Sequence, residues 1–266
     1  MSIRSISVLL NDDGRRDVRL SVAMGLCRAH GARLTALYDH SRRAKAGEAS
    51  VQDVKSSFLA ATNRENVTAE WREVDGTNHE AVRRQAHLFD LIVIGQPDAR
   101  GGGGGYGLPE DLILTAGRPV LIIPYAGEFK SLGERVLVAW NGTREATRAV
   151  YDSLPILAKA KQAVVYWVNP PEGTAHPGTE LVSHLVLHGV KAEAHHTRSA
   201  LPPNETAVIG ARSMDVGSIV LSAAADLNSD LIVMGAYSHS RVRELVLGGA
   251  TRHILHHMTV PVLMSH

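Results

Sequence analysis

The chain predicts two doubly wound α/β units in tandem, each a five-stranded parallel sheet of strand order 3-2-1-4-5. Three observations carry that expectation. Short aliphatic runs alternate with amphipathic stretches of helical length, the pattern of a parallel sheet wrapped by crossover helices. The same succession of strings is written twice, in one order. Two of those strings end in glycine, at the point where a buried strand would give way to a loop.

The duplication is read directly from the residues. ISVLLN at 6–11 answers VLVAWN at 136–141, and ARLTALYD at 32–39 answers QAVVYWVN at 162–169. VTAE at 67–70 answers VKAE at 190–193, DLIVIG at 90–95 answers DLIVMG at 230–235, and PVLI at 119–122 answers PVLM at 261–264. In the first copy, strands are expected over 6–10, 33–38, 67–73, 91–94 and 120–123. Between them lie helices over 17–30 (with Val18, Val22 and Leu26 on the apolar face), 51–63, 78–88 and 109–116. The second copy predicts helices over 144–158, 178–187, 206–212 or beyond, 218–227 and 244–257. Right-handed crossovers then open a crevice at the carboxyl ends of the first and fourth strands, where the winding reverses. The connector AGEFKSLGE at 126–134 separates domains expected over 1–126 and 134–266.

Composition excludes several classes. A net charge of +1, from 28 basic and 27 acidic residues, gives no footprint for nucleic acid or an anionic membrane surface. No apolar run approaches the about 18 residues of a membrane span, and the amino-terminal run is too short for a signal sequence, so a cytoplasmic location is expected. Cys27 is the single cysteine, which excludes an internal disulfide and fits a small buried hydrophobe on its helix.

The chemically richest stretch is DLIVMGAYSHSRVRELVLGGAT at 230–251. A glycine at a strand's carboxyl end, a polar loop and a glycine pair opening a helix can cradle phosphate, because glycine admits close backbone approach and helix amides favour an anion. The same arrangement also occurs as an ordinary turn. Its spacing (Gly235, two residues, Ser238, nine residues, Gly248-Gly249) resembles the Gly-x2-Gly-x9-Gly-Ser/Thr loop of the universal stress protein family. The repeated order, the DLIV-hydrophobe-Gly strings and the terminal PVL strands extend that resemblance to a tandem universal stress protein over nearly the whole chain. Two positions depart from the family loop: Ser238 stands at the second glycine and Gly249 at the hydroxyl residue.

The resemblance implies a stress-response or signalling protein that binds an adenine nucleotide in its second domain, ATP or a relative with magnesium. It implies a base pocket walled by Ala139, Asn141, Val168 and Met234, with Asn141 where the family usually has Asp. Ribose and phosphates would lie on Gly235, Ser238, Gly248, Gly249, Ala250 and Thr251. Ser238 and Thr251 would replace the missing hydroxyl donor, and Arg241 or Arg243 would neutralise phosphate charge, although both arginines also read as a solvated helix start. It further implies that the fifth strands, 120–123 and 262–264, pair to make an internal pseudo-dimer; the other reading is two plain buried edges. A further homodimer and an unidentified protein partner complete the expected associations.

The first copy reads as degenerate. Its loop, QPDARGGGGGYG at 96–107, lacks a glycine pair opening the next helix, which begins instead at Pro109, Glu110 and Asp111. Those acids, with Asp12 and Asp13, would repel phosphate. Elsewhere, His253, His256 and His257 have metal-compatible spacing but no accompanying carboxylate or cysteine and read as surface residues, and no metal site is assigned. His195 and His196 should face opposite sides of a strand. Trp140 packs near the crevice mouth or stacks on a base. No nucleophile, paired-carboxylate or Walker motif is present, so no catalytic residue is assigned. Three readings remain: a nucleotide-responsive protein, a non-nucleotide dimerisation or interaction module, and a slow ATPase.

Overall fold

The computed structural model describes residues 2–10, 14–39, 50–74, 79–96, 107–198, 209–237 and 249–266. The chain divides into two compact units, Met1–Leu132 and Gly133–His266. The first holds β1 (Ser5–Leu10), α1 (Arg16–His30), β2 (Arg33–Asp39), α2 (Val51–Arg64), β3 (Ala69–Val74), α3 (His79–Ala86), β4 (Leu91–Gly95), α4 (Leu108–Thr115) and β5 (Val120–Ile123). The second holds β6 (Arg135–Trp140), α5 (Arg144–Leu157), β7 (Gln162–Val168), α6 (Thr179–Leu187), β8 (Ala192–Thr197), α7 (Ile209–Asp226), β9 (Leu231–Gly235), α8 (Gly249–His257) and β10 (Val262–Ser265). Strand order is β3-β2-β1-β4-β5 in the first unit and β8-β7-β6-β9-β10 in the second. The strand pairs within each unit are parallel. Each unit is the doubly wound 3-2-1-4-5 arrangement.

Burial explains which strands are central. β4, β5, β9 and β10 are covered on both faces and read as unbroken aliphatic runs, as buried parallel strands must. β8, at the edge of its unit's order, has no buried residue: half-buried and exposed residues alternate over AEAH, and His196 is exposed as well. Helix ends follow local chemistry. Ser50 and Asp53 form a reciprocal capping box on α2, and Gly31 closes α1 at φ +63 with its N–H donating to the Cys27 carbonyl.

The aspartate that opens each DLIV string has a structural task. Asp90 Oδ2 accepts from the Arg4 and Ser5 backbone N–H groups at 2.9 and 3.0 Å and from Ser5 Oγ at 3.1 Å. Asp230 accepts from the N–H groups of Gly133, Glu134 and Arg135 at 3.0, 3.1 and 3.0 Å. Each carboxylate therefore ties the entrance of its unit's fourth strand to that of the first. The registers agree: Ile6 lies opposite Leu91, and Val136 opposite Leu231.

One expected element is corrected. Separate helices over 206–212 and 218–227 are replaced by the continuous α7, which runs through Gly217. An interior glycine costs up to about 1 kcal/mol relative to alanine. Here packing requires it, because a Cβ on Gly217 would lie 3.0 Å from His253 Cβ and Cδ2 and 3.2 Å from the Ala250 carbonyl on α8. The expected helix over 244–257 is described from Gly249 onward; 238–248 lie outside the described residues. Among the described residues no helix is long and apolar enough to cross a membrane.

Asp230→Ala should lower the unfolding free energy by about 1.5–3 kcal/mol, since it strips a charged acceptor from three backbone donors. Urea denaturation measures it, and Asp90→Ala should show a loss of similar size.

Candidate functional site

The crevice of the second unit lies at the carboxyl ends of β6 and β9. Strand register decides which side chains share it. Ala139 pairs with Met234 on one side and Tyr166 on the other, and Val168 lies two residues beyond Tyr166. Because alternate residues of a strand share a face, Ala139, Val168 and Met234 lie on one face of the sheet. Met234 is buried, while Ala139 and Val168 are half-buried at the strand ends. Trp140 pairs with Trp167 and lies on the opposite face, its ring edge-on to Trp167 at 6.5 Å between centroids. Gly142, at φ +72, sits over that second indole. Trp140 is thus a packing residue across the sheet from the three wall residues. His195 and His196 likewise fall on opposite faces, opposite Tyr166 and Trp167.

Gly235 has a reason of its own. A Cβ there would lie 2.3 Å from the backbone nitrogen of Ala146 and 2.4 Å from the carbonyl carbon of Glu145. The missing side chain makes room for the first turn of α5, on the face away from Met234. A ligand is not needed to explain this glycine, and the sequence reading of it as phosphate-facing is revised accordingly.

The loop after β6 is organised by its own side chains. Asn141 Oδ1 accepts from the Thr143 N–H at 3.2 Å and from Thr143 Oγ1 at 2.7 Å. Thr143 Oγ1 in turn caps α5 by accepting from the Ala146 N–H at 3.3 Å. The side chain of Asn141 is exposed at the crevice mouth, but its acceptor oxygen holds the turn.

Beyond β9 the chain is pinned before it enters the loop. The Ala236 N–H donates to the Ser265 carbonyl at 2.9 Å, and the Ala236 carbonyl lies 3.0 Å from His266 Nδ1. Tyr237 adopts φ +63, and its N–H donates to Thr251 Oγ1 at 3.4 Å. Thr251 is only 3 % exposed. Thr251 stands buried in the first turn of α8, its hydroxyl oxygen accepting from the protein's own backbone. Gly249 and Ala250 open α8 and are half-buried. Ser238, Arg241, Arg243 and Gly248 lie outside the described residues.

Behind α8, Ser218 Oγ of α7 lies 3.0 Å from His253 Nε2, and the His253 and His257 rings are 4.5 Å apart. Partial burial, with His257 and His256 close by, holds the His253 pKa below the ordinary 6.5. Among the described residues no group of three or more His, Cys, Asp or Glu side chains is placed to hold a metal ion.

The first unit differs at the equivalent end. Glu110 folds back over Gly107, the residue capping α4, so that one carboxylate oxygen lies 2.6 Å from where a Gly107 Cβ would stand. Asp111 pairs with Arg83 of α3 at 3.4 Å. Arg19 of α1 is 1 % exposed and donates from Nε to the Leu9 carbonyl at 3.1 Å. At the repeat offset its counterpart is Ala149, also buried. The sequence reading missed Arg19, although its spacing from Ala23 and Leu26 places it on the apolar stripe of α1. The segments 11–13 and 97–106 lie outside the described residues.

Strand order and a crevice at the point of reversed winding make the second unit a doubly wound α/β unit of the kind that takes ligands at its switch point. The sequence profile of the universal stress protein family matches residues 133–266, and the chain belongs to that family. A universal stress protein from Archaeoglobus fulgidus DSM 4304 superposes with a TM-score of 0.67 at 14 % identity, over 98 % of this chain and 97 % of that one. A functionally unknown protein from Pseudomonas aeruginosa PAO1 gives 0.65 at 18 % identity, over 99 % and 92 %. At these identities the likeness is one of fold. No curated protein matches the sequence.

Gly235→Ala should destabilise by about 1–3 kcal/mol or more, because the obstruction is helix backbone. A lower urea midpoint without a changed slope would register it. A second expectation concerns acid. With the folded-state pKa of His253 below the unfolded value, the unfolded chain binds its proton first as pH drops. The contribution of neutral His253 is complete above pH 6.5 and is lost as pH falls from there through the folded-state value. His253→Gln should flatten that part of the stability–pH curve.

Proposed function

We propose that the second unit binds an adenine nucleotide, ATP or a relative with magnesium, in its crevice, and that occupancy alters a surface read by a protein partner in a stress response. The observation that carries this reading is the convergence on one face, at the crevice, of Ala139, Val168 and Met234 beside the amino-terminal end of α8. Those three would wall the base. The N–H groups of Gly249 and Ala250 would meet the phosphates, with Ser238, Gly248 and Arg241 from the intervening loop. In this reading Gly235 acts indirectly, by holding α5 against β9, and Asn141 presents its amide NH2 to the base edge.

A second reading, a non-nucleotide interaction module, is favoured by one set of contacts. Asn141 Oδ1 and Thr251 Oγ1 both serve the protein's own backbone, which leaves fewer side-chain groups for a ligand. Turnover is not part of the proposal, since the sequence assigns no catalytic residue.

Thermal melting with ATP and magnesium, against magnesium alone, separates the two. A ligand held only by the folded protein contributes about 2.7 kcal/mol at a hundred times its Kd, and about 1 kcal/mol raises the midpoint by roughly 2–4 °C in chains near this size. A rise of several degrees at millimolar ATP is expected. An unmoved midpoint, with no nucleotide released from boiled protein, would leave the interaction module.

A further inference from the structure

The first unit carries a cavity of about 910 Å³ at the amino-terminal end of its sheet, the end opposite its strands' carboxyl termini. Three arginines from three successive segments line it: Arg4 before β1, Arg28 in the last turn of α1, and Arg33 opening β2. The single acid among the lining residues is Glu65, which forms an ion pair with Arg28. The lining therefore carries three positive charges and one negative, a balance of +2. Arg4 has no acidic side-chain partner among the described residues, and one of its guanidinium nitrogens lies 3.9 Å from where a Cβ on Gly31 would stand, over the α1–β2 turn that follows Arg28.

Two carboxylates just outside the lining, Asp90 and Glu70, reduce that balance without pairing with the Arg4 guanidinium. Asp90 is behind the wall, its Oδ2 taken up by the Arg4 and Ser5 backbone and the Ser5 hydroxyl. Glu70 lies beyond the lining and is held by Arg72 at 2.8 Å, with Arg33 near enough to help keep its carboxyl below the ordinary range. The carboxyl ends of α1 and α2 also face this region, and helix ends of that sense favour cations. One carbonyl near the end of α1 and three near the end of α2 are engaged: Cys27 O accepts from Gly31 and Ala32, and Ala61, Thr62 and Asn63 accept from Glu65, Val67 and Asn66. The floor is uncharged, formed by Ala32, Val67 and the buried Cys27 thiol.

We propose that this cavity is a second binding site, for a small molecule bearing two or more adjacent phosphates, gripped by Arg4, Arg28 and Arg33 with its less polar part against the floor. Guanidinium forks match phosphate oxygens in pairs, and forks from three segments enclose a multiply charged group better than a flat carboxylate. The volume lies within the span of small-molecule sites. The site is in the other unit from the proposed nucleotide crevice and does not depend on it.

Inorganic pyrophosphate is the probe, titrated calorimetrically into the full chain at low salt. Binding is expected to weaken at least tenfold in the double variant Arg4→Ser/Arg33→Ser, whose replaced side chains are exposed. The same loss is expected in Thr68→Glu, which keeps every arginine and adds a negative charge to the lining. Circular dichroism verifies that both variants are folded. The pyrophosphate heat should persist in Ala250→Asp, whose carboxylate would repel an anion from the amino-terminal end of α8, so failure of either site is seen separately. Undiminished binding in both variants, equal binding of sulfate at matched ionic strength, or preference for a glutamate-rich peptide over pyrophosphate would each overturn the proposal.

Discussion

The arrangement of each unit depends on one carboxylate. Asp230 gathers the three N–H groups that lead into β6, and its own N–H donates to the Arg135 carbonyl, so the first and fourth strands start in step. From that common start, Ala139 comes level with Met234 four pairs later, at the mouth of the crevice. A slip of one residue would turn every side chain of β9 to the opposite face. The geometry of the carboxyl end is thus fixed from the amino end, through a carboxylate at the opposite end of β9 from Met234. Asp90 does the same work in the first unit.

Equal frames have been filled unequally. Where the second unit has Ala149 under its first strand, the first has the buried guanidinium of Arg19 on the Leu9 carbonyl. Where α8 is described from Gly249 with no acidic residue in its first turn, α4 opens under the carboxylate of Glu110. A negative group at that helix end already takes the position that an incoming anion would need. The two copies therefore differ in charge at their carboxyl ends while sharing strand order and register.

Much of this was legible in the residues alone. Strand positions and the order of elements follow from aliphatic runs and their repetition, because burial on both faces leaves a plain signature. The glycines were legible as positions but not as reasons. Gly235 reads as a place for a ligand and packs against helix backbone, and Gly217, between two helices expected to be separate, lies inside a single one. In each case the deciding neighbour, Ala146 or His253, is far along the chain, and local pattern carries no information about it. Thr251 likewise bonds Tyr237 across the loop, a partner that local pattern does not reveal. The cavity at the amino-terminal end of the first sheet was invisible, being assembled from arginines that are unremarkable one at a time.

The bare contact of Gly235 with Glu145 and Ala146 has a mechanical meaning. Two backbones that touch without intervening side chains have no soft material between them, so the tip of β9 and the first turn of α5 shift as one rigid piece. Thr143 caps that turn and is bound to Asn141, which extends the piece to the exposed rim. Strain applied at either strand tip is handed to the other along a path of stiff atoms a few ångströms long.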